Sequence, residues 1–453
     1  MTASYNSNNE TSFINIIKIA VPIALQQLLT ASLHLVDTGF IVSLGDAPTT
    51  AVGVTGRFFF LINIIMFGLS SGMMVLSSQY WGVNDKKSIH QAFGLGMSNL
   101  LIVGILASVF CLLFPKSIMS LFTSDIYVVA IGANYIRIAG LSFIPMSIAF
   151  AYSLLLRSTA NVMVPLFVSF VSVGVNTFLN YVLIFGHFGA PRLWVRGAAI
   201  ATVTAATVQT ILYIIICKKQ DNIANAKMQE LLPKNKEFVK KFYKTAIPTL
   251  SNELIWGVGV SIYVVILSWQ GTSNFAAYTI FSAFDQITFT FFIGLCSACG
   301  VIIGKLVGRG ELNKAYEFGK SYIKYTIIFA VLVASTLFVF APRLVNLMNP
   351  ETEYTFNMAV KIIRLFSIIF PFFIMSYIAI VGVFRPAGTP KIGMILDGVT
   401  VWFIGIPFVA LGAFVLKLPF EYIYFMSGTE HFVKFFVCIY VYKKRNWLNP
   451  LTH

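Results

Sequence analysis

Charged residues are scarce in this chain. Only 11% of its 453 residues are Asp, Glu, Lys or Arg, whereas soluble globular proteins average about 25%. Hydrophobic residues make up 57% of the chain, and the mean hydropathy is +0.81. Because so few charged side chains cannot cover the surface of a soluble globule of this size, the composition predicts a protein embedded in a membrane.

The sequence is also poor in the residues that build disulfides, metal sites and catalytic centres. Its five cysteines include one CxxC pair, Cys296 and Cys299, in an apolar segment without a second pair or a nearby histidine. No glycine-rich phosphate loop, nucleophile elbow or zinc motif is found. We therefore expect no enzyme activity, no cofactor and no structural metal, and any transport must be driven by an ion gradient.

Long apolar runs are what the chain does have. A helix that crosses a bilayer needs roughly 20 apolar residues, and these runs are too long for the strands of an outer-membrane barrel. Since helices satisfy their own backbone hydrogen bonds, we predict an all-α membrane protein with twelve transmembrane helices. The candidate spans are approximately 13–43, 51–80, 91–114, 128–155, 162–186, 197–217, 240–268, 275–305, 316–340, 358–384, 391–416 and 420–442.

Basic residues outnumber acidic ones, 32 to 17, and they are unevenly distributed. With a cytoplasmic N-terminus, most of them fall on inner loops, including the basic stretch from Lys218 to Lys244. The positive-inside rule therefore predicts a multi-pass protein of the inner (plasma) membrane with both termini in the cytoplasm. The net charge of +15 then reflects topology and attraction to anionic lipids, and no nucleic-acid partner is expected.

The two halves of the chain resemble each other. Residues 18–94 match the second half without a gap at an offset of 226, so that Pro22 corresponds to Pro248 and Gly45 to Gly271. Each half holds six predicted helices, so both repeats enter the membrane with the same polarity. Two such bundles can rock around a central cavity, as in alternating-access transporters. The predicted domains are an amino-terminal lobe (1–220), a cytoplasmic linker (221–241) and a carboxy-terminal lobe (242–453).

Four phrases are distinctive: "AVPIALQQL", "VDTGFIVSLG" and "FGLSSGMMVLSSQYWGVNDKKS" in the first half and "AIPTLSNELIWGVG" in the second. They resemble the multidrug and toxic compound extrusion (MATE) transporters, closest to their NorM-like branch. The resemblance covers nearly the whole chain. It implies a V-shaped pair of six-helix lobes that exports amphipathic organic cations against an inward proton or sodium gradient.

The first candidate site lies in the amino-terminal lobe. A carboxylate such as Asp37 within a spanning segment costs at least ~2.5 kcal/mol, so it needs a compensating environment or a function. Asn176 and Asn180 are one turn apart and share a helix face. By resemblance these residues and Thr202 form the pocket where the carboxylate takes up and releases the coupling cation. His34, on the same face as Asp37, either tunes it or binds a backbone carbonyl.

The second candidate site lies in the carboxy-terminal lobe. Glu253 occupies the repeat position of Gln27, and in NorM-like relatives the matching glutamate faces the central cavity and helps to bind the cation. Those relatives have another acid on the tenth helix, which this chain lacks. Asp397 either replaces that acid or pairs with Arg385 or Lys391.

Two further acidic positions leave alternatives open. Asp285 either lines the cleft or is solvated, and Glu430 and Lys434, spaced i and i+4, are expected to pair.

The remaining expectations concern function as a whole. We expect proton coupling through Asp37, with sodium at Asp37 or Glu253 as the alternative, because a site with few carboxylates suits a proton better than a metal ion. Small cationic molecules are the predicted substrates and a monomer is the predicted state. The alternative function is a flippase for lipid-linked glycans of the same superfamily, whose cavity would need arginines; a membrane-embedded enzyme or a receptor ranks third.

Overall fold

The computed structural model describes residues 11–233 and 235–452, with the side chains of residues 34 and 35 left out. Within these ranges the regular secondary structure is entirely helical. The main helices, in chain order, are α1 (Phe13–Val42), α2 (Asp46–Gly82), α3 (Lys86–Leu113), α4 (Ile126–Ser158), α5 (Met163–Phe185), α6 (Val195–Lys219), α7 (Lys236–Ser268), α8 (Thr272–Gly308), α9 (Leu312–Leu347), α10 (Glu353–Phe384), α11 (Pro390–Val415), α12 (Phe420–Ser427) and α13 (Thr429–Lys444).

The all-α prediction is confirmed, and each predicted span overlaps a helix. Eleven of the described helices, α1 to α11, are long and apolar enough to cross a membrane. The twelfth span differs from the single predicted helix, because α12 and α13 meet at a break at Gly428. A Cβ at Gly428 would overlap Ile369 of α10, so glycine permits this close approach.

Contacts divide the chain into two compact units. Val21–Leu250 forms the amino-terminal unit, and Ser251 onward, with the residues before Val21, forms the carboxy-terminal unit. The division falls inside α1 and α7. In the amino-terminal unit a short helix, Met228–Leu231, is held against α3, where Nδ1 of His90 lies 3.2 Å from Oε2 of Glu230.

Of the three π-helical segments described in the carboxy-terminal unit, two lie beside its buried polar residues. Ile378–Phe384 ends α10, and Val401–Gly405 interrupts α11. A π turn contains an extra residue, shifts the following side chains around the helix axis and is frequent at functional sites. Arg385 directly follows the first turn and Asp397 lies just before the second, so both turns border the buried polar residues described next.

Candidate functional site

Asp37 of α1 contacts the polar face of α5. Its carboxylate accepts a hydrogen bond from Nδ2 of Asn180, and the same Nδ2 donates to Oδ1 of Asn176 at 2.8 Å. Both asparagines are buried. The i, i+4 spacing places their amides on one face, as the sequence predicted. The structure therefore brings three of the predicted residues together in a single hydrogen-bonded group.

The two amides keep unused hydrogen-bonding capacity beside the carboxylate. Nδ2 of Asn176 and Oδ1 of Asn180 are buried and find no partner within the described part of the chain. Buried polar atoms are normally paired, so an orphaned donor and acceptor next to an acid are a marked feature. The arrangement offers an acceptor oxygen and a carboxylate to a proton or another small cation.

Thr202 belongs to the same region but does not donate to Asp37. Its hydroxyl donates to the carbonyl oxygen of Ala198 at 3.0 Å and interacts with Tyr135, which also lies in the electrostatic environment of Asp37. Tyr135 packs with Ile41 in a small buried apolar cluster. Nothing in the sequence distinguished Tyr135 from the other tyrosines. The predicted role of His34 concerns a side chain outside the described residues.

A second buried polar group in the amino-terminal unit was not predicted. Arg157, only 6% exposed, donates from Nη2 to Oε1 of Gln26 at 2.8 Å and to Oε1 of Gln27 at 3.2 Å. Gln26 in turn donates from Nε2 to Oγ of Ser169 at 3.0 Å. A guanidinium is thus held in the interior by neutral amide oxygens.

Glu253 lies in a larger network in the carboxy-terminal unit. Its Oε1 is 2.8 Å from Nη1 of Arg385, which is almost fully buried. Nη2 of Arg385 donates to Oδ1 of Asn252 at 2.7 Å, and Nδ2 of Asn252 donates to Oδ2 of Asp397 at 2.5 Å. The structure therefore connects the predicted residues Glu253 and Asp397 through an arginine and an asparagine.

The ion pair that the structure gives Asp397 is with Lys434, a partner that the sequence did not suggest. Oδ1 of Asp397 lies 2.8 Å from Nζ of Lys434, whereas Arg385 pairs with Glu253 and Lys391 is exposed. Lys434 lies on α13 and Asp397 on α11, so the pair joins two helices that pack together. Sequence spacing could not reveal this contact, because it joins two different helices.

The network continues to Glu430, which is 1% exposed. Nζ of Lys434 lies 3.3 Å from Oε1 of Glu430, which confirms the predicted i, i+4 pair. The hydroxyl of Tyr263 donates to Oε2 of Glu430 at 2.8 Å. Gly405 makes this contact possible, because a Cβ there would overlap the Tyr263 hydroxyl. Three carboxylates and two basic side chains give the whole network a formal charge of −1 with neutral histidine.

The two units repeat one hydrogen-bonding pattern with different charges. In each unit an arginine donates to two consecutive side chains of α1 or α7, and the first of these donates to a residue on α5 or α11. The amino-terminal version uses neutral partners, whereas the carboxy-terminal version uses two acids. The equivalent residues are Arg157 and Arg385, Gln26 and Asn252, Gln27 and Glu253, and Ser169 and Asp397.

A second equivalence relates the remaining acids. Asp37 corresponds to Tyr263 at the offset of 226, and Thr202 corresponds to Glu430 at the offset of 228 shared by the two arginines. The acid therefore lies on α1 in the amino-terminal unit and on α13 in the carboxy-terminal unit. The residue equivalent to each acid carries a hydroxyl: Tyr263 on α7 is equivalent to Asp37, and Thr202 on α6 is equivalent to Glu430. Acid and hydroxyl therefore occupy reversed positions in the two units.

Asp285 is separate from this network. It is half-buried on α8 and makes no hydrogen bond or ion pair with any residue in the described ranges. Tyr424 lies in its electrostatic environment and packs against Phe281 with ring centroids 5.3 Å apart. Tyr278 joins the same aromatic cluster, 6.3 Å from Tyr424. An unpaired carboxylate beside aromatic rings is a chemically suitable partner for an organic cation.

A family model and named relatives match most of the chain. The MatE family model matches residues 22–182 and 249–411. A Thermotoga maritima protein named "Probable multidrug resistance protein NorM" is 23% identical over 89% of this chain and 86% of its own length. The "Uncharacterized transporter YisQ" of Bacillus subtilis is 23% identical over 94% and 93%.

Solved structures share the fold. A mutant of the Vibrio cholerae MATE transporter VcmN superposes with a TM-score of 0.86 at 19% identity, covering 95% of each chain. A MATE crystal structure in a bent conformation also gives a TM-score of 0.86 at 16% identity, covering 95% of this chain and 94% of that one. The match extends over both units.

Proposed function

Since the chain belongs to the MATE family and its NorM-like branch, we propose that it exports amphipathic organic cations from the cell in exchange for an inward-moving cation. Its relatives are named as transporters, several of them as probable multidrug resistance proteins, and none of these names describes an enzyme. The observation that carries the proposal is the Asp37 carboxylate, which lies in a membrane-spanning helix against two buried amides and, among the side chains that the structure describes, has no basic partner.

The coupling ion at Asp37 is a proton. Sodium prefers several oxygen ligands, and the described pocket offers one carboxylate and the Oδ1 atom of Asn180. A proton needs only a carboxylate in an apolar setting. The amides of Asn176 and Asn180 can turn either their oxygen or their nitrogen toward Asp37, and so accommodate both its protonated and its charged state.

Cationic substrates meet their charge partner at Asp285. The carboxylate has no basic partner within the described chain and lies near the rings of Phe281 and Tyr424. An acid supplies the Coulomb attraction and the aromatic faces supply a cation–π surface. This combination tolerates many shapes, which suits a polyspecific exporter.

The setting proposed for this exchange follows from topology. The protein resides in the plasma membrane, and by the positive-inside rule both of its termini lie in the cytoplasm. A monomer suffices for transport because one chain contains both repeats. The two units alternate access to the substrate by rocking. A glycan flippase is disfavoured, because its pyrophosphate needs free arginines, whereas Arg157 and Arg385 already bind side chains of the protein.

Transport in vesicles tests the proposal. Purified protein in sealed liposomes is given a pH gradient in sodium-free buffer, or a sodium gradient at fixed pH, and ethidium movement is followed by fluorescence. We expect ethidium to move against the pH gradient with proton flux of opposite direction. Strict sodium dependence without a response to pH would reverse the ion assignment, and no movement under either gradient would refute antiport.

A further inference from the structure

Lys434 is the most unusual buried residue of the carboxy-terminal unit. Lysine at membrane depth costs about 2.5–3.5 kcal/mol on insertion scales, yet this side chain is 3% exposed. It is not required by the pattern that the two units share, because the position equivalent to Lys434 at the offset of 228 is Ala206. Its partner Glu430 likewise corresponds to the uncharged Thr202. The carboxy-terminal unit therefore has a lysine and a glutamate where the amino-terminal unit has an alanine and a threonine.

The ammonium group bridges two carboxylates from different helices. Nζ lies 2.8 Å from Oδ1 of Asp397 on α11 and 3.3 Å from Oε1 of Glu430 on α13. The second oxygen of each carboxylate is already engaged, by Nδ2 of Asn252 and by the Tyr263 hydroxyl. Both acids are thus oriented so that one oxygen of each points at the same monovalent cation.

Two carboxylates that converge in a dry interior would supply a sodium ion with oxygen ligands and with the second negative charge that the Asp37 pocket lacks, since hard cations bind oxygen ligands. We propose that the Lys434 ammonium is a resident cation that occupies this position permanently and excludes sodium from the carboxy-terminal unit. Lys434 is then an ion-selectivity residue, and the ligand class that it displaces is a dehydrated monovalent metal ion.

Energetics favour the tethered cation over a free one. The lysine is delivered by its own backbone, so it pays no translational entropy on binding. A sodium ion that replaced it would leave an unpaired ammonium among apolar side chains. Among the described residues, the other ionisable groups near this position are Tyr263, which donates to Glu430, His431, whose Nε2 is 3.7 Å from Oε1 of Glu430, and the buried thiol of Cys438. None of them carries a permanent positive charge that could replace Lys434.

Ion binding by the purified protein tests the proposal without any transport assay, so failure of the transport proposal leaves it standing. Radioactive sodium binding and sodium-dependent thermal stabilisation are measured against choline for the wild type, for Lys434→Ala and for the control Lys443→Ala at the exposed end of α13. We expect Lys434→Ala to gain one saturable sodium site and a rise in melting temperature with sodium. The control is expected to match the wild type.

Two further variants make the outcome decisive. Adding Asp397→Asn to Lys434→Ala removes a ligand and is expected to abolish the gained sodium site. A folded Lys434→Ala protein without a sodium response would overturn the proposal. If Lys434→Ala does not fold, sodium binding by the wild type is compared with that by Asp397→Asn. Equal binding supports a site that Lys434 already fills. Sodium binding that is present in the wild type and lost in Asp397→Asn refutes the proposal.

Discussion

Nη1 of Arg385 lies 2.8 Å from Oε1 of Glu253 inside the carboxy-terminal unit, whereas the equivalent arginine of the amino-terminal unit, Arg157, donates to the amide oxygens of Gln26 and Gln27 and has no carboxylate partner among the described residues. The same backbone arrangement thus holds a charged pair in one repeat and a cation with neutral partners in the other. Because charge on a buried group controls which ions and protons it attracts, the two repeats of this transporter are built for different electrostatic tasks.

Glu253→Gln is expected to preserve the fold and to weaken binding of the cationic substrate. The substitution recreates the amide that Arg157 already contacts in the other unit, so Arg385 keeps a hydrogen-bond acceptor while the network loses a negative charge. Arg385→Ala, by contrast, leaves Glu253 buried without its partner, which typically costs about 3–5 kcal/mol. Thermal unfolding and substrate binding of both variants check this. Equal destabilisation of the two would show that the glutamate charge is required for folding.

Asp37→Asn is expected to abolish coupled efflux while leaving the amount of folded protein nearly unchanged, since it removes one charge and keeps the shape. The measurement is ethidium efflux in vesicles together with the yield of monodisperse protein. Asp46→Asn serves as the control, because Asp46 is an exposed acid at the start of α2. Wild-type efflux in Asp37→Asn would remove Asp37 from the coupling mechanism.

Asn180→Asp is expected to increase the response to sodium. A second carboxylate beside Asp37 gives the pocket an additional negative charge that offsets desolvation of a metal ion. Efflux driven by a sodium gradient at fixed pH should rise relative to the wild type. Asn176→Asp, one turn away on the same face, is the matched comparison. No change in sodium-driven efflux for either variant would argue against this pocket as the ion site.

Gly405→Ala is expected to destabilise the carboxy-terminal unit. Its Cβ would collide with the Tyr263 hydroxyl and approach Oε2 of Glu430 to 3.0 Å. Overpacking of this kind costs roughly 1–3 kcal/mol. Gly398→Ala on the same helix is the control, because the nearest atom, Cδ1 of Ile255, would be 4.0 Å from the new Cβ. Melting temperatures measured side by side should fall only for Gly405→Ala; similar values would mean that Tyr263 moves aside freely.

Asp285→Asn is expected to lower affinity for cationic substrates more than for neutral ones of similar size, because only the charge partner is removed. Binding of ethidium and of an uncharged aromatic analogue gives the comparison. The exposed acid Glu351, replaced by Gln, controls for a general change in surface charge. A uniform loss for both ligands would indicate that Asp285 supports the local structure rather than the charge of the substrate.

Local patterns determined a large part of this protein. Hydropathy specified the helices, because lipid demands long apolar segments whose backbone is satisfied internally. Helical periodicity placed Asn176 and Asn180 on one face, and the internal repeat matched Gln27 with Glu253 and Asp37 with Tyr263. These properties depend on neighbours within a turn, or on direct comparison of two stretches, so they can be read from the chain alone.

The partners of the buried charges were decided only by tertiary structure. Arg385 and Asn252 are 133 positions apart and Asn252 and Asp397 are 145 apart, so no spacing rule connects them. The π turns Ile378–Phe384 and Val401–Gly405 each contain an extra residue, which changes the side chains that α10 and α11 present to neighbouring helices. The contact of Asp397 with Lys434 could not be read from spacing for the same reason: a shift of one residue along a helix turns a side chain by about 100° and changes its neighbour.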